Sequence, residues 1–218
     1  MDVGFPNDIG LDLAGRLEWP ARGPQAPPVV VFAHGFDSGK DSPRGRLVAE
    51  GIREAGMATF LIDFAGHGES QGTKHDSTIE RQTRDLGAAL DFVTHSGGID
   101  SSRIGLCGAS SGGLVALLVA LKDERVKAVA LRGPRTDGMA ARAHGFTVPV
   151  LMIQGSLDPL LPETENFRNS LPAGINKKLE VIPGGDHLFS GSGQIEAVRD
   201  ITAGWFWAIF GGVREAVA

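Results

Sequence analysis

The chain has 218 residues, 42% of them apolar and 22% charged, with a formal net charge of −5. That is an ordinary globular balance with enough chain for one large core, and no long block of like charge marks it for nucleic acid or an anionic membrane surface. There is no run of about 18 apolar residues to span a membrane, and a single cysteine, Cys107, rules out an intrachain disulfide framework.

In chain order, the opening MDVGFPNDIG has neither a basic nor an apolar leader region, so no secretory signal is expected. With one cysteine, this points to a reducing, cytoplasmic setting. Residues 3–5 and 11–18 alternate weakly and predict an antiparallel opening pair. The proline-rich stretch 20–28 reads as a surface loop. Residues 29–33, VVVFA, form a continuous apolar run, as in a strand buried on both faces. A helix is expected over 43–55, with Leu47, Val48 and Ile52 on one side and Gly56 as its stop. A strand follows at 57–62 and ends at Asp63. Residues 77–95 predict an amphipathic helix, with Ser77 and Glu80 as a capping box. Next come a strand at 104–107, a glycine-rich turn, and a helix from Leu114 onward. Strands at 126–131, 148–153 and 178–182, a short helix at 163–170 and a closing helix at 193–210 complete the pattern. The alternation predicts a mostly parallel sheet covered on both faces, as a single domain over 1–218. In such sheets functional groups gather beyond the carboxyl ends of the strands.

The central stretch is RIGLCGASSGGLVALL, 103–118. Gly108-Ala109-Ser110-Ser111-Gly112 fits G-x-S-x-G between a strand and a helix, the pattern of a nucleophile elbow. The flanking residues must be small so that strand and helix can approach while the serine is held at a sharp turn. A register one residue later would put Ser111 at the tip; Ser110 is favoured because true glycines flank it at the required spacing. The other strand ends carry His34-Gly35-Phe36, Asp63, Gly155-Ser156-Leu157-Asp158 and Gly184-Gly185-Asp186-His187. A serine, an aspartate and a histidine thus fall on three strand-end loops, in that chain order. A serine hydroxyl attacks only when a base takes its proton; histidine titrates near neutrality, and a carboxylate fixes its tautomer.

Together HGF (34–36), DFAGHGES (63–70), GASSGG (108–113), GSLDPLLP (155–162) and GGDHLF (184–189) resemble the α/β-hydrolase superfamily, and within it small serine esterases of the dienelactone-hydrolase-like and feruloyl/cinnamoyl-esterase-like kind. The resemblance implies an eight-stranded, mostly parallel α/β-hydrolase fold. It implies Ser110 as nucleophile, His187 as base and Asp158 as acid, with the backbone N–H groups of Phe36 and Ser111 as oxyanion hole. The implied reaction is hydrolysis of a small-molecule carboxylic ester through an acyl-serine, with no cofactor and no metal. The chain departs from the dienelactone hydrolases in carrying serine rather than cysteine at the elbow. It departs from the feruloyl esterases in having only residues 133–147 where they insert a lid, so no cap domain is expected. The same machinery would serve a thioesterase or a small serine aminopeptidase, and a ligand-binding receptor on a hydrolase fold is the reading from another class. Oligomeric state is left open.

Other polar residues receive quieter expectations. The resemblance implies that His34 bonds loops near the oxyanion hole and that His67 is a turn residue between two glycines; Asp63 is read as a loop-bonding carboxylate or a spare acid, and Asp186 as a loop cap. His75, His95 and His144 have no metal-like spacing. Arg132, Arg135 and Arg142, with His144, gather around the short loop, as a solvated positive face or as a pocket mouth for an anionic ester.

Overall fold

The computed structural model describes residues 1–211. Its eight strands are β1 (Asp2–Pro6), β2 (Asp12–Glu18), β3 (Val29–Ala33), β4 (Ala58–Ile62), β5 (Ile104–Ala109), β6 (Val126–Arg132), β7 (Val150–Gly155) and β8 (Lys177–Ile182). They form one sheet in the order β1-β2-β4-β3-β5-β6-β7-β8. The first pair and the β2–β4 pair are antiparallel, and all the others are parallel. The helices are α1 (Pro43–Glu54), α2 (Ile79–His95), α3 (Ser111–Ala120), α4 (Leu161–Ser170) and α5 (Gln194–Phe210). The final residues of the expected domain, 212–218, lie outside the described residues.

Alternation along the strands separates two cores. On one face Val31, Leu106 and Val129 meet Leu86 and Leu90 of α2 and Leu117 of α3. On the other, Val30, Cys107 and Ala130 meet Val48 and Ile52 of α1 and Phe206 of α5. Because β3 is apolar at every position, it can be buried on both faces in the middle of the sheet. Each such aliphatic side chain contributes about 1.5–3 kcal/mol when fully buried. Cys107 is part of this interior, and burial pushes its thiol up to about 12, so it is held as an inert thiol.

Three helix starts differ from expectation; α4 begins at Leu161 rather than Glu163, with Pro162 in its first turn. The N-cap of α2 is Thr78, whose Oγ1 accepts from Arg81 N–H at 3.2 Å, so there is no Ser77–Glu80 box. Ser77 is instead buried after a short 3-10 turn, Lys74–Asp76, and its Oγ accepts from Gln82 Nε2 at 3.1 Å. Two adjacent hydroxyls competed for the cap, and the one left free of the buried network took it. Helix α3 starts at Ser111 rather than Leu114. The glycine pair 112–113 reads locally as a turn, but close approach to the sheet holds it helical: a Cβ on Gly112 would stand 2.2 Å from the Ala33 carbonyl oxygen.

Between β6 and β7 there is only a short 3-10 segment, Ala140–Gly145, with its flanking turns, so no cap domain is inserted there. Among the described residues no helix is long and apolar enough to cross a membrane.

Candidate active site

The carboxyl ends of β3, β5, β7 and β8 open onto one rim, where the predicted residues meet. Ser110 stands between β5 and α3 with φ 51° and ψ −120°. A non-glycine residue there is strained, by about 1–3 kcal/mol. Three backbone bonds hold it: Ser110 N–H donates to Arg132 O at 3.1 Å, and Ser110 O accepts from Gly113 N–H at 2.9 Å and Arg135 N–H at 3.0 Å. The glycine spacing is needed because a Cβ on Gly108 would come to 2.7 Å from the Gly112 carbonyl oxygen.

His187 reaches the elbow from the loop after β8. Its Nε2 lies 3.0 Å from Ser110 Oγ, and its Nδ1 lies 2.7 Å from Asp158 Oδ2. That pairing sets the tautomer: Nδ1–H donates to the carboxylate, and Nε2 is left to accept from the serine hydroxyl. Asp158 is itself held. Its Oδ1 accepts from Leu160 N–H at 3.0 Å, and its Oδ2 accepts from Gln154 Nε2 at 2.5 Å. Gln154 Oε1 in turn accepts from Thr164 Oγ1 at 3.1 Å. The polar chain thus runs from a fully buried threonine to a serine at the surface. Asp186 is not part of it: its Oδ1 caps the loop by accepting from Leu188 and Ser190 N–H at 3.0 and 2.9 Å. The two serine registers separate as well. Ser111 Oγ is buried with no hydrogen-bond partner among the described residues, whereas Ser110 Oγ meets the imidazole.

The Phe36 and Ser111 amides flank Ser110, and among the described residues neither donates in a turn or loop hydrogen bond. The Gly35–Phe36 peptide is anchored from behind. Gly35 O accepts from Ser38 N–H at 3.1 Å and from His34 Nδ1–H at 2.7 Å. His34 Nε2 accepts from Phe64 N–H at 3.0 Å, which places the ring proton on Nδ1. Burial pushes the His34 imidazole down to about 4, so it is neutral near pH 7. In a planar trans peptide the carbonyl and the N–H point in opposite directions. Bonding the Gly35 carbonyl from the buried side therefore turns the Phe36 N–H outward. His67 pins the next carbonyl, its Nε2 lying 2.7 Å from Phe36 O.

Asp63 is engaged elsewhere. Its carboxylate accepts from Lys40 N–H at 2.7 Å, Glu69 N–H at 3.0 Å and Lys40 Nζ at 3.0 Å, with Lys40 Nζ also 2.5 Å from Glu69. This buried pair ties the loop after β3 to the loop after β4. Sequence reasoning missed Lys40 and Gln154. For Gln154 the signal was there, as a polar side chain inside an otherwise apolar buried strand. For Lys40 none was, since its partner lies 23 positions away.

The basic group around residues 132–144 divides. Arg135 pairs with Asp137 at 2.8 Å, and Arg142 and His144 are exposed on the 3-10 segment. Arg132 turns toward the cleft. That cleft, of about 420 Å³, is lined by Gly35, Phe36, Arg44, Ser110, Arg132 and His187 among others. Among the described residues no cluster of histidine, cysteine or carboxylate side chains is arranged to hold a metal ion.

A family model described as "Serine aminopeptidase, S33" matches residues 24–140. Over 198 residues the chain is 34% identical to a Mycobacterium tuberculosis protein named "Putative phosphoribosyl transferase", a match that covers 90% of this chain and 44% of that one. The chain thus spans less than half the length of that curated relative. Among solved structures it is similar to dienelactone hydrolase from Anabaena variabilis, with 31% identity, a TM-score of 0.84 and coverage of 96% and 97% of the two chains. Est1E from Butyrivibrio proteoclasticus, solved with ferulic acid bound, shares the fold at 21% identity and a TM-score of 0.84, over 95% of this chain and 98% of that one. With this sheet, this elbow and these matches, the chain belongs to the serine aminopeptidase S33 family of α/β-hydrolases.

Proposed function

We propose that this hydrolase cleaves a small-molecule carboxylic ester through an acyl-serine, with Ser110, His187 and Asp158 as its triad. The observation that carries the reading is the unbroken run from Ser110 Oγ to His187 Nε2 at 3.0 Å and from His187 Nδ1 to Asp158 at 2.7 Å. His187 takes the Ser110 proton as Oγ attacks the ester carbonyl. Asp158 stabilises the imidazolium that forms. The Phe36 and Ser111 N–H groups receive the charge that develops on the carbonyl oxygen; one such donor is typically worth about 3 kcal/mol. His187 then passes its proton to the leaving alkoxide, and the alcohol departs. Water attacks the acyl-serine while His187 accepts its proton. That proton returns to Ser110 Oγ as the acid leaves. In this reading no cofactor takes part, and the single cysteine fits a reducing, cytoplasmic setting.

Labelling with a fluorophosphonate followed by mass spectrometry of the modified peptide tests this. The label is expected on Ser110, with both labelling and turnover of p-nitrophenyl acetate lost in Ser110→Ala. A label on another residue, or turnover kept in Ser110→Ala, overturns the triad.

The family match makes an aminopeptidase the second reading. Such an enzyme needs an anion to hold the substrate's terminal ammonium. Here the cleft presents Arg44 and Arg132, and among the described residues its one carboxylate, Asp37, is paired with Lys74. Faster turnover of an aminoacyl anilide than of p-nitrophenyl acetate would put the aminopeptidase first.

A further inference from the structure

Arg132 ends β6 beside the elbow, on the same face of the sheet as Ala130 and Cys107, which pack toward α1. Arg44 lies in the first turn of α1, and both line the cleft with Ser110 and His187. Both are half-buried. The six other half-buried arginines among the described residues, Arg16, Arg53, Arg81, Arg103, Arg125 and Arg199, each have a carboxylate partner. Among the described residues neither Arg44 nor Arg132 has a carboxylate partner or a side-chain hydrogen bond, and the charged group that acts on Arg132 from the cleft wall is Arg44 itself. Burial and the like charge of Arg44 both disfavour the charged form of Arg132. Two neighbouring guanidinium groups, partly stripped of water and repelling each other, form a site that an anion would relieve. The N-terminus of α1, with Ser42 and Arg44 on the cleft wall, adds its positive dipole end to the same space. Among the described residues the one acidic residue on the wall, Asp37, is exposed and paired with Lys74.

We propose that the cleft takes an ester that also carries a carboxylate, held between Arg132 and Arg44 while the ester carbonyl stands at Ser110. This rests on the serine-hydrolase reading for its chemistry. The carboxylate itself does not react; it positions the substrate, and the water-derived proton balance is that of ordinary ester hydrolysis. Arginine suits the task because its planar fork matches a carboxylate with two parallel hydrogen bonds.

The test compares kcat/KM for the mono-p-nitrophenyl ester of glutarate with that for p-nitrophenyl butyrate, in the wild type, Arg132→Gln and Arg44→Gln. Competition by free glutarate is measured in parallel. The wild type is expected to favour the anionic ester, and the ratio of the two kcat/KM values is expected to fall by about tenfold or more in each variant. Glutarate inhibition is expected to weaken in step and to fade with added salt. Because the ratio is read within one preparation, partial unfolding of Arg132→Gln cancels, and Arg44, on the helix surface, gives an independent reading. Equal kcat/KM for the two esters in the wild type, or an unchanged ratio in both variants, overturns the anion site while Ser110 labelling still stands. If Ser110 is not labelled and neither ester turns over, the hydrolase reading fails. Glutarate binding followed by calorimetry then decides the anion site by itself, and equal affinity in wild type and variants overturns it.

Discussion

Removing the His34 side chain tests whether the buried imidazole sets the direction of the Phe36 N–H. His34→Ala leaves Gly35 O with one donor, Ser38 N–H, and leaves Phe64 N–H with none. Complete loss of an oxyanion donor costs about 3 kcal/mol, so a donor that only loses its anchor should cost about half of that, or roughly tenfold in kcat, with KM nearly unchanged. Stability should fall as well, by about 1–3 kcal/mol for the orphaned Phe64 N–H and more for the cavity. His34→Asn separates the two effects. Its amide can still donate to Gly35 O but cannot reach Phe64, so kcat should recover while stability stays low. The pH dependence has a definite sign. His34 is held near 4 in the folded chain, below the ordinary value of 6.5, so the unfolded chain takes up the proton first as pH falls. Its contribution is complete above about pH 6.5 and is lost as pH falls toward about 4, by at most about 3 kcal/mol. Urea unfolding across that range should show this slope in the wild type and a flatter one in both variants. If His34→Ala keeps wild-type kcat, or if Asn and Ala depress kcat equally, the anchoring argument is wrong.

Asp158→Asn should leave the fold intact yet lower kcat on the order of 10³–10⁴-fold, because an amide in place of the carboxylate permits the wrong imidazole tautomer. Steady-state kinetics with circular dichroism as a folding control checks it, and a loss under tenfold would count against the Asp158 role. Lys40→Met strands Asp63, which is 1% exposed, without its ammonium. The expected cost is about 3 kcal/mol, or on the order of 10 °C in Tm, by calorimetry near neutral pH. Restoration of much of that loss by a second change, Asp63→Asn, would identify the uncompensated charge as the cause, and no restoration would refute it.

Much of the architecture could be read from the chain because its signals are local. VVVFA at 29–33, short and rich in β-branched residues, reads as a doubly buried strand, and G-x-S-x-G places strand, kink and helix in five residues. The residues of the Ser110–His187–Asp158 run were legible because each follows a strand, and in a parallel sheet the strand ends share one rim. What escaped was set by partners distant in sequence. The cap of α2 moved to Thr78 because Ser77 is drawn into a network with Gln82 and His67. The start of α3 moved to Ser111 because glycines at 112 and 113 meet the backbone of β3 and the loop after β6, which no helix propensity records. The basic cluster divided by orientation: Arg132 faces the cleft and Arg135 its own Asp137, a difference carried by three positions along a turn.

The backbone at residue 110 has a consequence for mutational drift. Its dihedral angles, φ 51° and ψ −120°, are ones at which glycine is at ease and serine is not. Replacing the serine by glycine would relax the bend, while deleting the hydroxyl proposed to attack. Descendants freed from selection for turnover should therefore tolerate glycine at this position. A folded Ser110→Gly protein without turnover is what the proposed role of Ser110 would leave behind in such a lineage.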